Sequence, residues 1–200
     1  MASSLPQLRM GFTRFDQLLP PQPVPGYGLR TFRPGDEDDW LALLRTEEAW
    51  EWDRARLDWM LAGGRGFMPP SGIFFATKDD RPVAAACTFL YPDEAPPAGE
   101  LGWVITHPGH RRRGLALQVC RAVLGYIHNS GYSYAFLKTE DFRTAAVKMY
   151  LQIGFEPEMV HPSHPAWWAA LHQSLANEAR EGAGGSLPKA KRSGQRSDDP

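Results

Sequence analysis

The chain has 200 residues, of which 42% are hydrophobic and 22% charged, with a formal net charge of -1. Such values describe one folded domain with loose ends and exclude a general field that would draw the chain onto nucleic acid or a membrane surface. No apolar run is long enough to span a bilayer, and MASSLPQLRM lacks the basic-then-apolar layout of a signal peptide, so a cytoplasmic location is expected.

In chain order, residues 1–26 are proline-rich without lasting periodicity and read as a flexible lead. Residues 28–32 read as a first strand. Arg33-Pro34-Gly35 turns the chain, and Asp36 or Asp38 can cap a helix through Leu44. A second helical stretch, 47–61, carries Trp50, Trp52 and Trp59 and is broken by Gly63, Gly64 and Gly66. Residues 73–78 and 82–91 form a hairpin about Asp79-Asp80-Arg81. A proline-rich loop leads to a strand at 101–106. Residues 114–129 form a helix with an apolar stripe of Val119, Cys120, Val123, Leu124 and Ile127, ended by Gly131. Then come a strand at 133–138, a helix at 144–153 stopped by Gly154, a strand at 155–160 and a last helix at 165–179. The domain therefore spans 27–180. Residues 181–200 have little to bury and read as a disordered tail. Cys87 and Cys120 lie in apolar runs and read as reduced core thiols. The alternation of helices and strands gives a mixed α/β sheet with helices on its faces.

The segment HPGHRRRGLALQV places a basic turn, Arg111-Arg112-Arg113, directly before a helix. The first amides of that helix lack intrahelical partners, and its dipole is positive there, which suits a phosphate. Gly114 and Ala116 leave room for it. Taken alone, the loop fits a solvated basic turn equally well. Neither a P-loop nor a dinucleotide fingerprint is present.

With its surroundings, this segment resembles the GNAT superfamily of N-acetyltransferases. Arg111-x-x-Gly114-x-Ala116 fits that family's Q/R-x-x-G-x-G/A signature, after the apolar strand GWVITHP. Downstream, Ala146, Tyr150, Gly154 and Phe155 hold the places of a second family element, in AFLKTEDFRTAAVKMYLQIGFEP. The resemblance covers roughly 27–160 and is strongest from Glu100 onward. It implies an α+β fold with a mostly antiparallel sheet, a splayed central strand pair and helices on both faces.

It also implies an acetyl-CoA-dependent N-acetyltransferase acting by direct attack in a ternary complex, without a metal. The amides of Arg111, Arg112, Arg113, Gly114, Leu115 and Ala116 would hold the coenzyme A pyrophosphate. Backbone groups of Val104, Ile105 and Thr106 would pair with the pantetheine arm. Tyr150 would be the general acid for the departing thiolate, since an ordinary phenol keeps its proton up to about pH 10. Glu100 lies eleven residues before Arg111, the spacing of the catalytic glutamate in histone-acetylating members, and is the candidate base. Strict alternation places it on one side with Gly102, Val104 and Thr106. Waters carry the proton in other members. Arg143 stands where the family often has Asn, and is expected to contact a coenzyme A phosphate or cap its loop. The family's usual seventh strand is replaced in the sequence by the helical run HPSHPAWWAALHQSLA.

The acceptor would be a small-molecule or peptide amine, with a homodimer left open and neither nucleic acid nor membrane as partner. Family members wall the acceptor site with the first two helices. Here those hold Glu47, Glu48, Glu51, Asp53 and Asp58 among tryptophans, which would suit a cationic amine. An amphipathic helix with a solvated acidic face accounts for most of these residues equally. His107, His110, His161 and His164 have no metal-ligand spacing. The competing functions are a non-catalytic acyl-CoA-binding or regulatory module on the same fold and a histidine-based metal-dependent hydrolase.

Overall fold

A computed structural model describes residues 7–47, 51–64 and 66–184. The β-branched and aromatic run IFFATK forms β3 (Ile73–Lys78), and β4 (Arg81–Tyr91) returns antiparallel to it. Asp79 and Asp80 take φ of 51° and 62° at the hairpin tip, the left-handed geometry that tight two-residue turns need. Strand β2 (Gly28–Thr31) borders β3, and β5 (Ala98–Thr106) borders β4. Strands β6 (Ala135–Thr139), β1 (Leu8–Phe12) and β7 (Glu156–Glu158) complete a seven-stranded sheet in the order β2-β3-β4-β5-β6-β1-β7. Among the described residues only the β5–β6 pair is parallel. The fold is thus a mixed α/β domain with a mostly antiparallel open sheet, as expected.

Five helices pack on it: α1 (Glu37–Leu44), α2 (Arg54–Leu61), α3 (Leu115–Asn129), α4 (Thr144–Ile153) and α5 (His164–Gly184). The stripe Val119, Cys120, Val123, Leu124 and Ile127 of α3 is buried, in one cluster with Leu8, Met10, Leu137, Val147, Tyr150 and Trp168. Helices α1 and α2 lie on the opposite face. Trp40, Leu44, Leu57 and Met60 pack there against Phe75, Cys87, Phe89 and Ile105.

The largest departure from the sequence reading is at the N-terminus. Within the expected flexible lead, LRMGF is a strand whose Leu8, Met10 and Phe12 are buried to 0%, 0% and 2% exposure. It pairs with β6 over Leu8–Phe12 and with β7 over Arg9–Gly11. It fills the gap between those strands, completing the sheet that the C-terminal helical run leaves one strand short. Alternating burial was present in the sequence, but the prolines that follow masked it.

Smaller corrections have local causes. The expected helix 47–61 starts only at Arg54, because Asp53 caps it by accepting a hydrogen bond from the Arg56 amide. Residues 48–50, with Glu48 and Trp50, lie outside the described residues. Strand β5 begins at Ala98, so Glu100 is interior to it, and β7 is shorter than the expected 155–160. Helix α5 continues to Gly184, past the start of the expected tail, and residues 185–200 lie outside the described residues.

Candidate active site

Strands β5 and β6 are in register only at Gly99–Ala135 and Glu100–Phe136. Beyond those pairs the strands part, although β5 runs to Thr106 and β6 to Thr139. A bulge bends β5 away. Its register against β4 shifts between Ala85–Ile105 and Cys87–Gly102, and Trp103 takes a left-handed φ of 49°. Such a conformation is costly for a residue with a side chain and persists only when its surroundings hold it. Here Trp52 meets the Trp103 ring edge-on at 4.6 Å, and the Arg56 guanidinium lies 4.6 Å from Trp52 and 5.8 Å from Trp103.

The bulge corrects two sequence expectations. Glu100 pairs with Phe89 and Ile105 with Ala85, while Thr106 pairs with Ala84 on the opposite face. Glu100 therefore shares the α1–α2 side with Gly102 and Ile105, while Val104 and Thr106 turn toward α3. The His107 amide donates to the Val83 carbonyl at 2.8 Å, so the Ile105 backbone is spent on β4. Alternation leaves the Val104 and Thr106 backbones directed into the cleft. The Thr106 carbonyl accepts from Arg111 Nε at 3.2 Å, and its buried hydroxyl has no hydrogen-bond partner among the described residues.

Helix α3 begins at the mouth of this cleft. Its N-cap is Gly114, with φ of 79° and no side-chain cap, so its first amides are unspent. A Cβ built on Gly114 would meet nothing within 4 Å. Arg112 before it also takes a left-handed φ of 59°. The loop through Gly114 is exposed, and neither Arg112 nor Arg113 forms an ion pair among the described residues. The local field is cationic. Burial, then neighbouring His107, Arg113 and Lys78, push the His110 pKa down. An uncapped helix start, a cradle that a side chain would fill and an excess of positive charge fit a pyrophosphate.

Glu100 is 2% exposed and accepts a hydrogen bond from the Tyr91 hydroxyl at 2.8 Å. Tyr150 is 6% exposed on α4, edge-on to Phe155. Its pKa is raised mainly by burial, with a further push from Cys120, so the phenol stays protonated at neutral pH. Arg143, at the start of α4, is engaged with its own loop, the second of its two expected roles. Its Nη1 donates to Glu47 at 3.1 Å and its Nε to Glu140 at 2.6 Å, and Gln7 donates to the other Glu140 oxygen at 2.9 Å. A coenzyme A phosphate would have to compete with both carboxylates. The bridge ties the end of α1 to the β6–α4 loop.

Two further carboxylates of the α1–α2 region have local partners: Asp53 caps α2 and Asp58 pairs with Arg54. The histidines are engaged locally, His107 with the Gly109 amide, His110 with Tyr27, His161 with Ser163 and His164 with the Glu158 carbonyl. Among the described residues no three His, Cys, Asp or Glu side chains come together to hold a metal ion. No described helix is long and apolar enough to cross a membrane. Sequence reasoning missed Tyr91, Arg9, Tyr134 and Glu158, since these meet only through strand pairing.

Residues 32–155 match the acetyltransferase (GNAT) family. The chain is 32% identical over 157 residues to a mycothiol acetyltransferase of Nocardia farcinica, covering 74% of this chain and 52% of that protein. It thus spans about half the length of the curated relatives it matches. In fold it is similar to a GCN5-related N-acetyltransferase from Sphaerobacter thermophilus, with a TM-score of 0.62 at 22% identity over 77% of this chain and 50% of that one. The aminoglycoside N-acetyltransferase AAC(6')-Iy, solved in complex with CoA, has a TM-score of 0.57 at 22% identity, covering 68% of this chain and 91% of that one.

Proposed function

Because the chain belongs to the GNAT family of acetyltransferases, we propose that it transfers an acetyl group from acetyl-CoA to a primary amine by direct attack. The observation that carries this reading is the cleft between β5 and β6, opening beside the uncapped N-terminus of α3. The thioester of acetyl-CoA supplies the activated acyl group. Amides from Arg111 to Ala116 hold its pyrophosphate, and the cleft-facing backbones of Val104 and Thr106 align its pantetheine arm. The CoA bound by AAC(6')-Iy, on a related fold, supports the choice of donor.

On the α1–α2 side, Glu100 removes the amine proton, with Tyr91 holding the carboxylate in place. On the α3 side, Tyr150 gives its proton to the departing sulfur. A phenol carries its proton at neutral pH in any case, and the burial that raises the Tyr150 pKa works against the transfer rather than for it. The two groups lie on opposite faces of the sheet, Glu100 on the α1–α2 side and Tyr150 in the α3 cluster, so acid and base need not compete for one position. No covalent intermediate on the enzyme is required.

Turnover with a panel of amines, read by thiol release, tests the reading. Tyr150→Phe should lower kcat about a hundredfold with coenzyme A binding intact. Glu100→Gln should be slow near neutrality and recover as rising pH supplies free amine. Coenzyme A binding without turnover of any amine would favour the non-catalytic module instead.

A further inference from the structure

The two faces of the sheet are covered unequally. Helices α3, α4 and α5 pack on the face bearing Leu8, Met10, Phe12 and Leu137. The α1–α2 cluster on the other face draws no residue from β6, β1 or β7. That part of the face begins at Glu100, whose register partner is Phe136. Continuing outward, Lys138 is two residues along β6, and Arg9 lies directly opposite Lys138 on β1.

Two cations directly opposite each other in a ladder repel. Here both also converge on one ring. The Arg9 guanidinium lies 4.0 Å from the Phe136 centroid and the Lys138 ammonium 5.6 Å from it. Glu158 compensates Arg9, accepting from its Nε at 2.8 Å and from the Tyr134 hydroxyl at 2.7 Å. The Tyr134 hydroxyl also accepts from Arg9 Nη2 at 3.3 Å. That leaves three of the five guanidinium N–H donors. Lys138 is exposed and has no ion pair among the described residues. Arg9, Lys138 and Glu158 together carry one net positive charge, and Lys138 stands one strand over and two residues along from the candidate base. Since the strands part beyond Phe136, regular strand geometry makes the Glu100–Lys138 Cα separation at least about 8 Å.

We propose that Lys138 and Arg9 form an anion seat that selects acceptors carrying a carboxylate near the amine to be acetylated. The inference rests on the acetyltransferase reading above and narrows its acceptor to amino-acid-like or peptide-acid amines. An acceptor spanning the two points puts its amine at Glu100 and its carboxylate between the two cations, which removes their repulsion. Lys138 is the specificity-determining group, and Arg9, held by Glu158 and Tyr134, sets the position of the second donor.

The test compares kcat and KM for matched pairs, each free amino acid or dipeptide against the amine left when its carboxyl group is removed. Wild type should prefer the carboxylated member at least about tenfold, the scale of one charge-assisted contact. Lys138→Gln should abolish most of that preference through KM. Coenzyme A affinity and turnover of the decarboxylated amines should stay within about twofold, and Lys138→Arg should keep the preference. Equal use of both members by wild type, or an unchanged preference in Lys138→Gln, overturns the inference and leaves the acetyltransferase reading standing. A parallel loss for both members, or a loss of coenzyme A affinity alone, also overturns it. No turnover of either member with coenzyme A bound counts against both.

Discussion

Phe12→Ala measures whether the N-terminal strand is integral to the domain. The Phe12 ring is 2% exposed, with centroids 5.0 Å from Phe15 and 5.2 Å from Phe155. It also sits over the left-handed Gly154 that ends α4, where a Cβ would come within 3.4 Å of the ring. Truncating such a ring leaves a cavity that the surrounding strand, helix end and aromatic rings cannot fill, and costs about 3–5 kcal/mol. That is a large share of the roughly 5–15 kcal/mol holding a typical domain together. At about 2–4 °C per kcal/mol for a chain of this size, the unfolding midpoint should fall by roughly 6–20 °C. Thermal unfolding followed by circular dichroism measures it. Leu19→Ala serves as the control, since Leu19 is 60% exposed and its loss should move the midpoint by less than about 2 °C. A Phe12→Ala midpoint no lower than that of the control would refute the reasoning and return residues 8–12 to the status of a dispensable lead.

Gly114→Val should weaken coenzyme A binding at least about tenfold by calorimetry while the protein remains folded, because the new side chain enters the open space before α3 and the left-handed φ of 79° disfavours it. Unchanged affinity would move the phosphate site elsewhere. The pH dependence of stability should report Asp36. Burial opposes its charge, but hydrogen bonds from Arg30 and the Arg33 amide outweigh this and set its pKa below the ordinary value. A depressed folded-state pKa contributes stability above the unfolded value, about 3.9, that is lost as pH falls through the folded one. Asp36→Asn should therefore lose about 2 kcal/mol at pH 7 and be less sensitive to acid below about pH 4, as urea titrations would measure. An identical acid limb in variant and wild type would remove Asp36 from the account.

The Arg111–Ala116 loop, the Tyr150 helix and the overall alternation of elements are local in sequence. A basic turn before a helix creates its own phosphate geometry, and a stripe at helical spacing chooses its own buried face. The sequence therefore determined the family resemblance, the order of elements from Gly28 onward and most of the candidate site. What it could not determine is set by pairing between distant segments. LRMGF has the alternation of a strand, but its place between β6 and β7 depends on partners more than 120 residues away. A single bulge at Trp103 reverses which face Val104 and Thr106 occupy, and no propensity marks it because Trp52 and Arg56 hold it in place. Which of the two expected roles Arg143 takes, a phosphate contact or a brace on its own loop, is decided by Glu47 and Glu140, which reach it only in the folded chain. The meeting of Arg9, Lys138 and Phe136 beside Glu100 likewise exists only once strand register is fixed. Local rules fix which residues can do the chemistry, and register fixes which of them meet, because a shift of one residue turns every side chain of a strand to the other face.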